Sequence, residues 1–72
     1  MNSVELYKQV QATQRDEQAA SQAHDAAELL GSGPAYQAAF DALSDARIAL
    51  QEAVQAYDAA VAAEEAAEQR AV

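Results

Sequence analysis

All the glycine and proline residues of this chain lie in one short segment, GSGP at residues 31–34. The rest of the sequence is dominated by alanine, glutamine, glutamate and leucine, which favour helix. Gly31 can adopt the left-handed conformation that ends a helix. Ser32 or Gly33 can cap a following helix, and Pro34 suits its first turn. The segment therefore predicts two helices and one tight turn.

These boundaries predict an all-α fold. The first helix is expected over about residues 3–30 and the second over about residues 34–69, with the turn at about 31–34. Asn2 followed by Glu5 fits a capping box at the first helix. Helices of this length are much longer than average, so they favour an antiparallel two-helix hairpin of coiled-coil type.

The size of the chain limits what the hairpin can bury. It has 72 residues, enough for one small domain, and no cysteine for a disulfide or a thiolate metal site. Leucine, isoleucine, valine and phenylalanine together account for only 12 residues. A core of this size is marginal for a single small chain, which favours a second subunit.

The charge of the chain excludes several classes of partner. The formal net charge is −8, with four basic residues spread along the sequence. Nucleic acids and anionic membranes require a basic face, so we expect neither as a partner. No apolar run has the length of a transmembrane helix, and the opening MNSVELYKQ lacks the pattern of a signal peptide. These features predict a cytoplasmic protein.

Large side chains recur along the second helix at alternating intervals of four and three residues, the spacing of a helix that packs lengthwise against another helix. We call these residues the bulky row: Tyr36, Phe40, Leu43, Arg47, Leu50, Val54, Tyr57 and Val61. Arg47 is the only charged member of the row. It either fixes the register of a dimer or binds an acidic group on a target.

A register for the hairpin follows from its turn. If facing residue numbers sum to about 65, the alanines that lie seven apart on the first helix oppose alanines on the second, so that the two helices pack closely. The facing pairs are Ala12 with Ala53, Ala19 with Ala46, and Ala26 with Ala39.

In this register the first helix presents only polar side chains to the bulky row, and it cannot cover Leu43, Leu50 or Val54. We therefore expect a homodimer, in which two hairpins bury the bulky row in a four-helix bundle. The alternative is a different register, in which the row packs inside one hairpin.

The start of the first helix carries a second apolar group, Val4, Leu6, Tyr7 and Val10. It lies on a different side of the helix from the alanines. These residues either cap the Tyr57 and Val61 end of a bundle or form a patch for a partner. Tyr36 and Tyr57 also allow two interpretations. They lie either at the edge of the core or in contact with a partner, as anchor residues.

The sequence contains no recognisable catalytic or cofactor site. His24 and Glu28 lie one helical turn apart, but they supply only two metal ligands, so we interpret them as an ion pair and predict no metal site. The carboxylates spread over solvent faces, and a two-helix hairpin has no cleft that would raise a carboxyl pKa. We expect a protein that is not an enzyme and carries no cofactor.

Three functions fit these features. The first is a dimeric protein-binding protein that docks on another protein and blocks it. The second is a structural coiled-coil or assembly subunit. The third is an acidic mimic of DNA, for which Asp41, Asp45 and Glu52 line one side of the second helix, interrupted by Ile48 and Ala59.

A short, acidic hairpin that begins MNSVELYKQV and turns at GSGPAY resembles the small accessory proteins encoded by bacteriophages. These include dimeric hairpins that inactivate host regulators, among them anti-activators of quorum sensing. The resemblance implies inhibition of a host protein, such as a transcription regulator or a motility ATPase, in the cytoplasm of the host cell.

Overall fold

The computed structural model of the chain describes residues 2–31 and 33–71, which form two helices and no strand. Helix α1 spans Ser3–Leu30 and helix α2 spans Pro34–Ala71. The Cα atoms occupy a rod of 60 × 14 × 13 Å. Within the described ranges, neither helix combines the length and the apolar character needed to cross a membrane.

Local hydrogen bonds explain where the helices begin and end. The Asn2 side chain accepts a bond from the backbone N–H of Glu5 at 3.0 Å, which caps α1. The backbone N–H of Gly31 donates to the Glu28 carbonyl, and Gly31 has a φ of 104°, a conformation that favours glycine. The carbonyl of Gly33 accepts from Gln37 at 2.9 Å. Ser32, the other predicted cap of α2, lies outside the described residues.

The contacts between the helices pair early residues of α1 with late residues of α2. They join Ser3 with Glu64, Tyr7 with Tyr57, Glu17 with Arg47, and His24 with Tyr36. The helices are therefore antiparallel, and the numbers of facing residues sum to about 64, close to the predicted register.

The less exposed residues of both helices recur at intervals of three and four, which is the seam of a coiled coil. On α1 the seam consists of Ser3, Leu6, Val10, Thr13, Glu17, Ala20, His24 and Ala27. On α2 it consists of Tyr36, Ala39, Leu43, Ala46, Leu50, Ala53, Tyr57 and Ala60. No described side chain is completely buried, so water borders the seam on both sides.

The prediction for the face of α1 in the seam is wrong. Ala12, Ala19 and Ala26 are exposed, while the seam takes up positions one residue later. Helix α1 is therefore rotated about its own axis by about 100°, the angle of one residue, relative to the predicted orientation. This rotation brings Leu6 and Val10 against α2, where they are 9% and 7% exposed. Two large aliphatic side chains bury much more apolar area than alanines can.

Candidate functional site

The bulky row of α2 divides into two sets in the structure. Tyr36, Leu43, Leu50 and Tyr57, spaced by seven residues, lie in the seam against α1. Leu43 is only 5% exposed, so the prediction that α1 leaves it uncovered is wrong. The cause is the rotation of α1, which brings the seam residues Ala20 and His24 to the level of Leu43 in place of the expected polar side chains.

The rest of the row forms a surface along one side of the rod, which we call the Phe40 flank. Each member follows a small residue of the α2 seam by one position, and Tyr7 continues the flank on α1. The flank consists of Tyr7, Phe40, Arg47, Val54 and Val61. Tyr7 is 49% exposed, Phe40 48% and Val54 37%, and Val61 is half-buried. Apolar side chains of this size, exposed in a line, are typical of a protein-binding surface.

Arg47 lies between Phe40 and Val54 in the Phe40 flank and has a partner inside its own hairpin. Its Nε is 3.5 Å from Oε1 of Glu17, a residue of the α1 seam. The Glu17 side chain is 24% exposed, whereas that of Arg47 is 63% exposed. An ion pair at this exposure contributes at most about 1 kcal/mol. Its position leaves much of the guanidinium free to meet a second molecule.

The open end of the hairpin contains a groove of about 250 Å³, lined by Ser3, Val4, Tyr7 and Tyr57. The two tyrosine rings contact each other at a tilt of 51°, with 5.7 Å between their centroids. Val4 is 62% exposed. We call this feature the open-end groove. The apolar group predicted at the start of α1 is therefore split, because Leu6 and Val10 lie inside the hairpin.

Glu64 connects the open-end groove to the end of α2. Its Oε1 accepts a hydrogen bond from the backbone N–H of Ser3 at 3.1 Å. Hydrogen bonds from the Ser3 hydroxyl and backbone lower the pKa of the Glu64 carboxyl. A carboxylate at the N-terminus of α1 also faces the positive end of the helix dipole. Beyond this contact, residues 65–71 of α2 extend past the start of α1.

His24 lies in the seam near the turn with two carboxylates beside it. Its Nδ1 is 3.8 Å from Asp25 and its Nε2 is 3.9 Å from Glu28. Its ring packs on Tyr36 and Phe40, with centroid distances of 5.1 and 6.0 Å. Asp25 adds a third donor atom to the predicted pair of His24 and Glu28, and the spacing of that pair did not point to it. The two ring nitrogens contact different carboxylates, an arrangement of ion pairs when the imidazole is protonated.

Two exposed residues were missed by the sequence analysis. Leu29 and Leu30, at the end of α1, are 90% and 88% exposed. They do not continue the spacing of the seam beyond Ala27, and this offset is the signal that could have identified them.

The side of the rod opposite the Phe40 flank has a shallow groove of about 350 Å³. It is lined by Gln9, Ala12, Thr13, Ala49, Glu52, Ala53 and Ala56.

Comparisons with models of protein families, with curated proteins and with solved structures find no match. The function is therefore inferred from the surfaces of this chain.

Proposed function

We propose that this protein is a non-enzymatic protein-binding protein, which dimerises and inhibits another protein by docking on it. The Phe40 flank is the observation that carries this proposal. It exposes Phe40, Val54 and Tyr7 in a line, while the adjacent seam positions of α2 are occupied by alanines. Exposed aromatic and aliphatic residues of this kind provide binding energy in protein interfaces.

The surface area of the chain supports a second copy. The accessible surface is 5296 Å² for a chain of 7.6 kDa. A compact monomer of this mass would expose roughly 4,300 Å². The excess, about 1,000 Å², is comparable with the roughly 800 Å² that each partner buries in a standard interface. A four-helix bundle of two hairpins would cover this surface.

The open-end groove, which shares Tyr7 with the Phe40 flank, supports a site for the inhibited protein. Val4 and the two tyrosine rings provide apolar contacts, and Glu64 places a carboxylate beside them. The overall charge of −8 would guide the protein toward a basic patch on its partner. The resemblance to phage accessory proteins extends this proposal to a host transcription regulator or motility ATPase as the partner.

A structural coiled-coil subunit is the second candidate, and the shape of the molecule favours it. The rod is 60 Å long, and α2 continues past α1 at the open end. An overhanging helix of this kind can pair with a further copy. Such a protein would have only itself as a partner.

Affinity capture from a bacterial lysate, followed by mass spectrometry, separates the two candidates. The wild-type chain is compared with Val4→Asp, which alters the open-end groove, and with Ile48→Asp as a control. Ile48 is 54% exposed and is a member of neither the open-end groove nor the Phe40 flank. A protein captured by the wild type and the control, but not by Val4→Asp, supports inhibition through the groove. Recovery of the bait alone supports the structural candidate.

A further inference from the structure

The open-end groove places aromatic rings next to a carboxylate, and we propose that it binds a basic side chain, arginine or lysine, of a partner protein. The aliphatic stem of this side chain lies in the groove, against Val4 and the tyrosine rings, and its charged end reaches Glu64. This inference rests on the proposed function and adds the chemistry that the partner must present.

The walls of the groove match both parts of such a side chain. Val4, which is 62% exposed, and Tyr7, which is 49% exposed, line the groove together with Tyr57. Their apolar surface can pack against the hydrocarbon stem of arginine or lysine. The two rings are tilted at 51°, with centroids 5.7 Å apart, and half of Tyr7 remains accessible. An accessible tyrosine ring also attracts a cation that lies over its face.

Glu64 supplies the negative charge at the edge of the groove. It follows Tyr57 by seven residues, about two helical turns, so both residues lie on the same face of α2. Its Oε1 accepts the 3.1 Å hydrogen bond from the backbone of Ser3, which itself lines the groove. Within residues 2–31 and 33–71, no basic side chain forms an ion pair with Glu64. Its remaining lone pairs can therefore accept from an ammonium or guanidinium group.

Charge alone does not select the open end, because the turn end is also acidic. At the turn end, Asp25 and Glu28 lie beside His24, which pairs with them when it is protonated. The open end differs because an apolar groove of about 250 Å³ adjoins its carboxylate. The positive end of the α1 dipole lies there as well, but Glu5 and Glu64 offset its partial charge. The combination of groove and carboxylate therefore selects this end for a basic side chain.

Titration of the isotope-labelled protein with small probes, followed by NMR, tests the site. The probes are Nα-acetyl-arginine methylamide, Nα-acetyl-lysine methylamide and the uncharged analogue Nα-acetyl-citrulline methylamide. We expect either charged probe to give saturable shifts at the Ser3 amide and at the rings of Tyr7 and Tyr57. Citrulline should bind about fivefold more weakly, because it cannot form the ion pair. The affinities of the two charged probes then identify which basic residue the groove prefers.

Glu64→Gln is the test variant and Glu65→Gln is its matched control, since each removes one negative charge from the same end of α2. Binding of the charged probes should weaken on the order of fivefold in Glu64→Gln and change less than about twofold in Glu65→Gln. Tyr7→Leu keeps an apolar side chain but removes the ring, so it should weaken binding about twofold to fivefold. Circular dichroism checks that each variant keeps its helices.

Four results would overturn the inference. They are the absence of saturable binding by either charged probe, equal affinity for arginine and citrulline, equal losses in Glu64→Gln and Glu65→Gln, and shifts confined to the turn end. Equal losses would show only a general attraction to acidic surface. None of these results removes the proposed function, which fails separately if the lysate experiment recovers the bait alone.

Discussion

Substitution of Leu43 by alanine tests the seam directly. Leu43 is the least exposed of the buried apolar residues, at 5%. The change removes about three methylene equivalents, at about 0.8 kcal/mol each, or about 2.4 kcal/mol of transfer free energy. In an enclosed core a residual cavity raises such costs toward 5 kcal/mol. Here no described side chain is completely buried, so water and neighbouring side chains can fill the space. We expect a loss of about 2–3 kcal/mol.

This loss would be a large part of the total, because a chain of this length is stable by about 4–11 kcal/mol. The measurement is urea unfolding followed by far-ultraviolet circular dichroism, at one protein concentration for all variants, since unfolding of a dimer depends on concentration. Ile48→Ala is the control, and we expect it to cost less than about 0.5 kcal/mol because Ile48 is half exposed and alanine favours helix. Equal losses for the two variants would refute the seam.

Three further substitutions test other contacts. A double-mutant cycle of Tyr7→Ala and Tyr57→Ala should give a coupling of about 0.5–1.5 kcal/mol in the same unfolding assay, and additive losses would show that the rings do not interact. His24→Leu should stabilise the hairpin by about 1 kcal/mol at pH 8, because Nε2 of His24 is buried without a hydrogen-bond partner, and a marked loss would contradict this. The lowered pKa of Glu64 means that folding favours the ionised carboxylate. Its contribution to the free energy of unfolding is therefore fully present above pH 4.5, the ordinary pKa, and is lost as the pH falls through the pKa of the folded state. Glu64→Gln should therefore be less stable than the wild type at pH 7, with a difference that disappears at the lowest pH, and a constant difference would contradict the assignment.

The fold could be predicted from the sequence, but the exposed surface could be predicted only in part. Two helices and no strands could be predicted because the glycine and proline residues lie in one segment, and composition alone favours helix elsewhere. The register near 65 followed from the position of that turn. The rotation of α1 did not, because the alanines at 12, 19 and 26 have the same seven-residue spacing as the true seam. Periodicity cannot distinguish two faces with the same repeat.

The apolar area that each face of α1 would bury decides between the two faces. This area depends on the side chains of both helices. Leu6 and Val10 lie close together near the start of α1, so they form no long row in the sequence. Their burial nevertheless sets the rotation of the whole helix, and this rotation places Ala20 and His24 at the level of Leu43. Thr13 tolerates its place in the seam because its hydroxyl donates to backbone carbonyls of its own helix at 2.9 Å. The exposed flank is the part of the bulky row that remains after this rotation.

The proposal that a second copy covers the Phe40 flank is tested most directly by the mass of the protein in solution. Sedimentation equilibrium at micromolar concentration should give about 15 kDa, twice the mass of the 7.6 kDa chain. Phe40→Asp should shift this mass toward the monomer, because the dimer would bury an unpaired charge, whereas Ile48→Asp should not. A wild-type mass of 7.6 kDa with full helicity would contradict the proposal.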